Sequence, residues 1–251
     1  MLKEIVIAFQ SYIKAHRFIS KHRLWKWIII PGLLYMALFV FCMILFSKTA
    51  TSTVDHFTLL LKDWVERIDL GWVSFLISIA GLLLWLLMML FYFSLFKYIF
   101  LIIGSPLFAY LSEKTESIMD GRDFPISFKQ LLRDIARGVR LALRNTLWQT
   151  VYTIAVIILS FIPLVGWAAP VLSLFIECYY YGFSMLDYSC ERHRLSTAQS
   201  ISFIGNHKGL AIGNGFIFYL MHLLPFVGWV LAPSYAVVAA TISMYHQKDQ
   251  F

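Results

Sequence analysis

Four arginines of the 251-residue chain recur at helical spacing and could together attract an anion. They are separated by four, three and four positions, so one face of a helix would carry all of them: Arg133, Arg137, Arg140 and Arg144. A row of guanidinium groups raises the local concentration of anions. The same row is typical of a helix that contacts lipid phosphates or orients a protein in a membrane, and the pattern favours this second interpretation.

Two further titratable residues stand alone inside apolar stretches. Glu177 is the one charged residue between positions 171 and 185, where an ionised carboxylate is costly if lipid surrounds it. It could line a central cavity, pair with a base such as Lys97 or couple transport to protons, or it could form a hydrogen bond between helices or subunits. His222 precedes Pro225 by three residues and could act as a titrating gate, although its setting is more typical of a packing residue.

Covalent catalysis has no support in the sequence. The chain contains no Gly-x-Ser-x-Gly elbow, phosphate-binding loop or His-Glu-x-x-His motif, and its three cysteines lack metal-ligand spacing. Gly209, Gly213 and Gly215 follow no predicted strand, so close helix packing explains them better than nucleotide binding. We therefore predict a protein that is not an enzyme, with no catalytic residue, no metal site and no cofactor.

The composition indicates an integral membrane protein. Hydrophobic residues make up 60% of the chain and charged residues only 14%, whereas a soluble domain carries about a quarter charged residues. The net charge of +7 raises nucleic acid as a partner, but the Lys and Arg residues flank apolar stretches and no nucleic-acid-binding motif is present. We predict contact with membrane lipids and none with nucleic acid.

Two long apolar stretches predict the membrane-spanning helices. Residues 27–46 contain no charge over 20 positions, which is about 30 Å of helix and matches the hydrocarbon thickness. An acidic loop is predicted over 47–71, followed by a second span over 72–103, in which Lys97 can extend to the interface. Gly104, Ser105 and Pro106 are expected to end that helix.

Amphipathic segments precede and follow these spans. The N-terminal segment 1–26 is predicted to lie in the membrane interface, because one helical face carries most of its apolar side chains: Leu2, Ile5, Phe9, Tyr12, Ile13 and Phe18. The arginine row lies in a second amphipathic helix over 127–144. The fold class predicted is an all-α integral membrane protein with two long transmembrane helices, two partly inserted helical hairpins and amphipathic interfacial helices.

The hairpins are predicted from a repeat of Pro-x-Val-Gly-Trp, with Pro163 and Gly166 in the first copy and Pro225 and Gly228 in the second, 62 residues on. Hairpin 1 covers 147–185 and hairpin 2 covers 209–245, and a linker is expected over 186–209. Their leading arms have 16 and 15 residues, or about 22 to 24 Å of helix, which is less than the hydrocarbon thickness. Each turn would then lie inside the bilayer and line a shielded path.

A topology in which four further helices cross the membrane completely, in place of the two hairpins, is equally compatible with the distribution of charged residues. Both topologies place the two termini and the arginine row on one side, which the positive-inside rule assigns to the cytoplasm. Charge therefore leaves the choice between hairpins and full spans open.

Three features make the chain resemble the CysZ-type sulfate permease family, which includes the etoposide-induced membrane proteins. They are the basic stretch Lys21–Lys26 before an apolar helix with Pro31, the run Ser105–Glu116, and the paired hairpins, of which Phe161–Pro170 matches best. The resemblance covers nearly the whole chain, which is predicted to form one such membrane domain over 1–251. It implies an oligomeric membrane protein that passes sulfate towards cysteine synthesis.

The resemblance also implies an anion-binding segment just before the first membrane helix. The family's Gly-Leu-Arg-Arg-like motif corresponds to Arg23, Leu24, Trp25 and Lys26, so Arg23 stands where the motif has glycine and Lys26 where it has arginine. Arg23 and Lys26 could attract a dianion together with His22. The alternative is interfacial anchoring by the tryptophans and their basic neighbours.

We predict from these observations a multi-pass protein of the bacterial cytoplasmic (inner) membrane, assembling as a homo-oligomer. Its function would be that of a permease or channel for sulfate or a similar small oxyanion, supplying sulfur assimilation. A passive pathway is preferred, because no nucleotide-binding sequence supplies energy. The alternative function is a non-transporting membrane scaffold or lipid-interacting protein.

Overall fold

A computed structural model describes residues 1–65, 71–121, 128–160 and 168–245, with some side chains inside these ranges left undescribed. The described residues fold into α-helices joined by short turns. The helices are α1 (Leu2–Lys21), α2 (Trp25–Val65), α3 (Gly71–Asp120), α4 (Phe128–Ser160), α5 (Ala169–Arg192), α6 (Thr197–Asn206), α7 (Lys208–His222) and α8 (Val227–Tyr245). The all-helical prediction is confirmed over these ranges.

The chain forms two compact units whose boundary falls within α2 and α3. The first unit comprises Met1–Met36 and Leu101–Phe251, and the second comprises Ala37–Phe100. In the second unit, aromatic rings join α2 to α3: the ring centroids of Phe39 and Phe96 lie 5.4 Å apart, and those of Phe46 and Tyr92 lie 4.9 Å apart. The candidate site residues that the structure describes belong to the first unit.

The acidic loop predicted over 47–71 is wrong over most of its length, because α2 continues to Val65. Residues 47–65 contain neither glycine nor proline. Several of their hydroxyl groups bond back onto carbonyls of the preceding turn, as in Thr49 Oγ1 to Leu45 O at 2.9 Å and Thr58 Oγ1 to Val54 O at 2.7 Å. Serine and threonine whose hydroxyls are satisfied in this way are compatible with a helix interior.

The helix end predicted at 104–106 is also wrong, since α3 runs through Pro106 to Asp120. Proline has no N–H to donate to the carbonyl of Ile102, four residues earlier. The hydroxyl of Ser105 donates to that carbonyl instead, at 2.9 Å. Gly104 leaves room for the buried ring of Phe108, with which a Cβ at this position would collide.

Helix α1 buries one face and exposes large apolar side chains on another. Its buried residues are Ala8, Ser11, Tyr12, Ala15 and Ile19. Leu2, Phe9 and Ile13, which were predicted to face the membrane interface, are exposed, but Tyr12 points inward and donates to the carbonyl of Asn214 at 2.9 Å. The helix therefore packs on the first unit through one face and presents an apolar surface on another.

Glycines allow α7 to approach α1 and α5 closely. A Cβ at Gly215 would clash with the carbonyl of Cys178, and a Cβ at Gly182 would clash with the carbonyl of Ala211. Cβ atoms at positions 209 and 213 would clash with residues of α1. The interpretation of the glycines at 209, 213 and 215 as helix-packing residues is confirmed, because each lies against a neighbouring helix.

The arginine row and the first arm of hairpin 1 belong to one helix, since α4 continues without interruption from Phe128 to Ser160. Residues 161–167, which include the predicted turn residues Pro163 and Gly166, lie outside the described residues. The linker predicted over 186–209 is largely helical, because α5 extends to Arg192 and α6 follows a turn of four residues.

Two helical stretches of the described residues are long and apolar enough to cross a membrane. Trp25–Leu60 has 36 residues and is mostly exposed, whereas Val227–Tyr245 has 19 residues and is mostly buried among its neighbours. Apolar side chains are also exposed near the ends of α4 and α5 that flank residues 161–167: Leu147, Val151, Ile154, Ile158, Val171 and Phe175. The predicted second span, 72–103, is helical as part of α3, but the side chain of Lys97 is not described.

Candidate functional site

The residues aligned with the anion-binding motif begin in a tight turn between α1 and α2, here called the Arg23 turn (residues 21–24), and continue into the first turn of α2 with Trp25 and Lys26. Arg23 has a φ of 54°, in the left-handed region that favours glycine. The amide of Leu24 donates to Ile19 O at 3.1 Å and that of Arg23 donates to Ser20 O at 3.5 Å. This is a Schellman cap, so the backbone keeps a conformation suited to glycine although the residue is arginine.

The four motif residues divide into one buried anchor and three exposed side chains. Leu24 is 2% exposed, and the Schellman geometry brings it towards Ile19, which is also buried. Arg23, Trp25 and Lys26 are exposed. Arg23 and Lys26 can therefore offer two cationic groups to an anion, while the buried Leu24 holds the turn against the helices.

Neighbouring helices add polar and basic groups beside this turn. The ring of Trp25 lies edge-on to that of His16, with centroids 6.5 Å apart, and His16 Nδ1 hydrogen-bonds the Tyr235 hydroxyl at 2.9 Å. On α3, the ammonium of Lys114 lies 5.8 Å from the ring centroids of both Trp27 and Tyr110. Sequence reasoning missed Lys114, and its one local signal is the four-residue spacing from Tyr110 on a helix.

Glu177 joins three helices through hydrogen bonds. The side-chain amide of Gln149 on α4 donates to Glu177 Oε1, and the hydroxyl of Tyr219 on α7 donates to Oε2 at 2.8 Å. The structure therefore supplies the bond between helices that was one alternative for this carboxylate. A polar atom of the same region, the hydroxyl of Tyr181, is buried with no hydrogen-bond partner among the described residues.

His222 packs among aromatic rings at the end of α7. Its ring stacks on Phe218 at 5.3 Å between centroids, and its Nε2 lies 3.3 Å from the hydroxyl of Tyr35. The Trp229 ring is 6.2 Å away. These contacts are those of a packing histidine that is held by one polar partner.

The turn of hairpin 2 exposes apolar side chains. Pro225 is exposed, as are Leu223 at 75% and Phe226 at 67%. Phe226 has a φ of 61°, and the amide of Gly228 donates to Leu224 O at 2.9 Å. Gly228 itself is buried, and a Cβ there would clash with the carbonyl of Met221.

Glu177 and His222 contact adjacent residues of α7, whereas the Arg23 turn lies apart from both. Phe218 and Tyr219, adjacent on α7, contact His222 and Glu177 respectively. Tyr35, the partner of His222, is ten residues beyond Trp25 on α2. Ten residues of helix rise about 15 Å, so the cationic turn and the hairpin polar groups lie at different depths of the first unit.

The arginine row is not a uniform face. Arg133 and Arg140 are exposed, while Arg137 points inward and donates to the carboxylate of Asp187 at 2.8 Å. It also donates to the Leu195 carbonyl and the Ser200 hydroxyl, and so ties α4 to α5 and α6. Burial raises the pKa of Asp187 above its ordinary value, although the Arg137 guanidinium acts to lower it.

These features define a class of protein: an all-helical protein with long apolar helices and a cationic turn at the start of its exposed apolar helix. The chain belongs to the family described as Sulfate transporter CysZ/Etoposide-induced protein 2.4, whose model matches residues 11–233. The family resemblance is thereby confirmed, and membership in a transporter family together with two candidate membrane helices makes this a membrane protein.

Several bacterial relatives are named sulfate transporter CysZ. One from Pseudomonas aeruginosa (strain LESB58) is 29% identical over 181 residues, which are 71% of this chain and 73% of the relative. Another from Pseudomonas syringae pv. tomato (strain DC3000) is 27% identical over 227 residues, 89% of each chain. A third, from Pseudomonas fluorescens (strain Pf0-1), is 29% identical over 179 residues, 70% of this chain and 71% of the relative.

Proposed function

We propose that this protein conducts sulfate or a similar small oxyanion across the membrane. The relatives that cover most of the chain are named sulfate transporters, and no covalent chemistry is needed for such a role. The transported anion would be sulfate destined for sulfur assimilation, and the pathway would be passive.

The Arg23 turn is the observation that carries the proposal. The guanidinium of Arg23, in this turn, and the ammonium of Lys26, in the first turn of the long exposed apolar helix α2, both lie at the surface. The Schellman cap fixes the backbone, so the cations are held on a rigid element. Charge-assisted hydrogen bonds from such groups suit a dianion, and Arg can offer the forked donation that Lys cannot.

We propose that the pathway is lined by Glu177, His222, Pro225 and Gly228 of the same unit, and also by Pro163 and Gly166, which lie outside the described residues. Glu177, Tyr219, Tyr181, Tyr35 and His222 supply a series of polar groups between apolar helices. The buried hydroxyl of Tyr181, without a partner among the described residues, supports a polar occupant there, because buried polar groups are normally satisfied.

The same proposal includes a bacterial inner-membrane location, multi-pass topology and assembly as a homo-oligomer. The apolar tip of hairpin 2 supports insertion into lipid, since Leu223, Phe226 and Val227 are all exposed. Hairpin tips that stop within the bilayer remain our preferred topology over four full spans. Labelling of cysteines introduced at position 166 and at Leu223, which is 75% exposed, with an impermeant reagent tests it, because reaction from the periplasmic face alone would require full spans.

Uptake of radiolabelled sulfate into proteoliposomes tests the transport role. We expect uptake above empty vesicles, and a several-fold loss in the double variant Arg23→Gly, Lys26→Gln. Glycine suits the left-handed position, so the backbone of the turn should persist while both cations are removed.

Arg17→Gln is the matched control, because it removes one exposed cation of α1 that lies outside the turn. Uptake by this variant should equal that of the wild type. Sulfate uptake no greater than that of empty vesicles would overturn the transport proposal. Equal uptake by the wild type and the double variant would overturn the role of the Arg23 turn.

A further inference from the structure

The Arg23 turn has a second copy in the chain, here called the Arg194 turn (residues 192–195). Its sequence is Arg-His-Arg-Leu, against Lys-His-Arg-Leu at 21–24. Arg194 has a φ of 57°, and the amides of Leu195 and Arg194 donate to Cys190 O at 3.2 Å and to Glu191 O at 2.9 Å. The two turns thus share sequence, left-handed arginine and hydrogen-bond pattern.

The Arg194 turn borders an open, basic cavity. A cavity of about 680 Å³ is lined by Arg133 and Arg137 from α4 and by Arg194, with Glu191 and Thr197 on other walls. Helix α4 and the Arg194 turn, which are distant in sequence, therefore bring their arginines to one cavity.

Two of these arginines are available to a ligand. The guanidinium of Arg137 is already committed to Asp187, Ser200 and Leu195 O. The side chains of Arg133 and Arg194 are exposed, and their guanidinium groups form no hydrogen bond or ion pair within the described part of the chain. Counting the Arg137–Asp187 pair as neutral and Glu191 as one negative charge, the cavity keeps a net positive charge.

The start of α6 adds backbone donors to the same cavity. Ser196 caps this ten-residue helix by accepting from the amide of Gln199 at 3.3 Å, and the Gln199 side chain accepts from the Ser196 amide at 2.8 Å. The first helical bond is donated by Ser200 to Ser196 O. The amides of Thr197 and Ala198 precede that bond and are open to an acceptor outside the helix.

We propose that Arg133, Arg194 and the first amides of α6 form a second binding site for a tetrahedral oxyanion. Two guanidinium forks and two amides provide donors of the kind that sulfate or phosphate oxygens accept. The ligand is either a free inorganic anion or the phosphate of an anionic lipid headgroup, because both present this chemistry. The site is separate from the Arg23 turn and exists whether or not the protein transports sulfate.

Equilibrium binding to a variant that lacks the cations of Arg23 and Lys26 isolates this second site. The full chain carrying Arg23→Gly and Lys26→Gln is purified, stripped of lipid and titrated with sodium sulfate and sodium phosphate by calorimetry. Adding Arg194→Gly or Arg133→Gln should weaken binding about tenfold or more. Arg140→Gln, an exposed arginine of the same helix outside the cavity, should leave binding unchanged.

Native mass spectrometry of the chain from phosphatidylglycerol and phosphatidylcholine nanodiscs distinguishes the two sources. If the ligand is a free anion, the cavity variants should bind it more weakly in calorimetry and retain as much phosphatidylglycerol as Arg140→Gln does. If the ligand is a lipid headgroup, both cavity variants should retain less phosphatidylglycerol than Arg140→Gln does. Glycine at 194 suits the left-handed backbone, and Arg133→Gln changes an exposed residue, so both variants should fold. The proposal is overturned if neither anion binding nor lipid retention differs between the cavity variants and Arg140→Gln.

Discussion

The Arg23 turn and the Arg194 turn share a sequence and a backbone but stand in different surroundings. The first leads directly into α2, a long helix with exposed apolar side chains, where His16 lies near Trp25 and Lys114 lies near Trp27. The second is followed by the capped helix α6 and faces two arginines of α4 across a cavity. One motif is thus used once at the start of an exposed apolar helix and once in a basic cavity.

In these two turns, the local sequence sets the backbone conformation, whereas tertiary packing sets the electrostatic surroundings. Both arginines adopt the left-handed conformation because the Schellman pattern of hydrogen bonds demands it at that position. What each arginine meets depends on helices that are far away in the sequence. Changes that remove these partners should therefore affect the two turns unequally.

The largest effect is expected from Arg137→Gln. This change removes the hydrogen bond that Arg137 donates to the Arg194 turn at Leu195 O and leaves the Arg23 turn unchanged. The change leaves the buried carboxylate of Asp187 without its cation, which typically costs about 3 to 5 kcal/mol. We expect a clearly lower melting temperature in detergent, whereas Arg140→Gln should melt like the wild type. Equal melting of the two variants would mean that the pair does not anchor the turn.

The same variant should also make stability depend on pH. Burial already raises the pKa of Asp187 from 3.8, and loss of Arg137 removes a group that lowers it. A carboxyl with a raised pKa in the folded state contributes full stability below its ordinary pKa and loses it as the pH rises through the folded pKa. The deficit of Arg137→Gln should therefore be largest at neutral pH and shrink towards about pH 4.

Melting curves between about pH 4 and pH 8 measure this dependence. Asp187→Asn in the Arg137→Gln background removes the titrating group and should flatten the curve. A deficit that stays constant with pH in Arg137→Gln would show that Asp187 is not its cause.

A smaller effect is expected from the leucine that follows each left-handed arginine. Leu24 is 2% exposed, so Leu24→Ala should cost about 3 kcal/mol through lost burial and the cavity left behind. Leu195 is only partly buried, and Leu195→Ala should cost about 1 kcal/mol. Chemical denaturation of the two variants side by side tests this order, and a reversed order would contradict the difference in burial.

The smallest effect is expected from glycine at the two left-handed positions. Arg23→Gly and Arg194→Gly each relieve a backbone conformation that is unfavourable for arginine, and part of the gain is offset by the greater chain entropy of glycine. Each should stabilise the fold by about 0.5 kcal/mol, measured as a small rise in melting temperature. A marked loss in either variant would mean that its arginine side chain contributes to the fold.

Helix type and the packing role of the α7 glycines could be predicted from the sequence, but several helix ends could not. Pro106 reads as a helix end until Ser105 is seen to supply the missing donor to Ile102 O. Residues 47–65 read as a loop because they are polar, yet several of their hydroxyls are satisfied within α2. Local composition reports solvent preference, whereas a helix continues wherever its backbone groups are satisfied.

The candidate site was predictable only in part. The family resemblance located Arg23, Leu24, Trp25 and Lys26. Glu177 could be selected as a candidate because it is the one charged residue of an apolar stretch. Lys114 beside Trp27 and Asp187 beside Arg137 could not be predicted, because these contacts join residues that are distant in sequence. Such contacts leave no periodic pattern in the sequence.

The sequence by itself determined that this chain is helical, apolar and a member of its family, because these properties follow from composition, periodicity and motifs. It also determined the two His-Arg-Leu turns, whose left-handed caps are local. The tertiary structure alone decided which arginine is buried against a carboxylate and which two face an open cavity. That choice depends on how α4 packs against α5 and α6, and a charge is stabilised or left free only by groups brought to it through space.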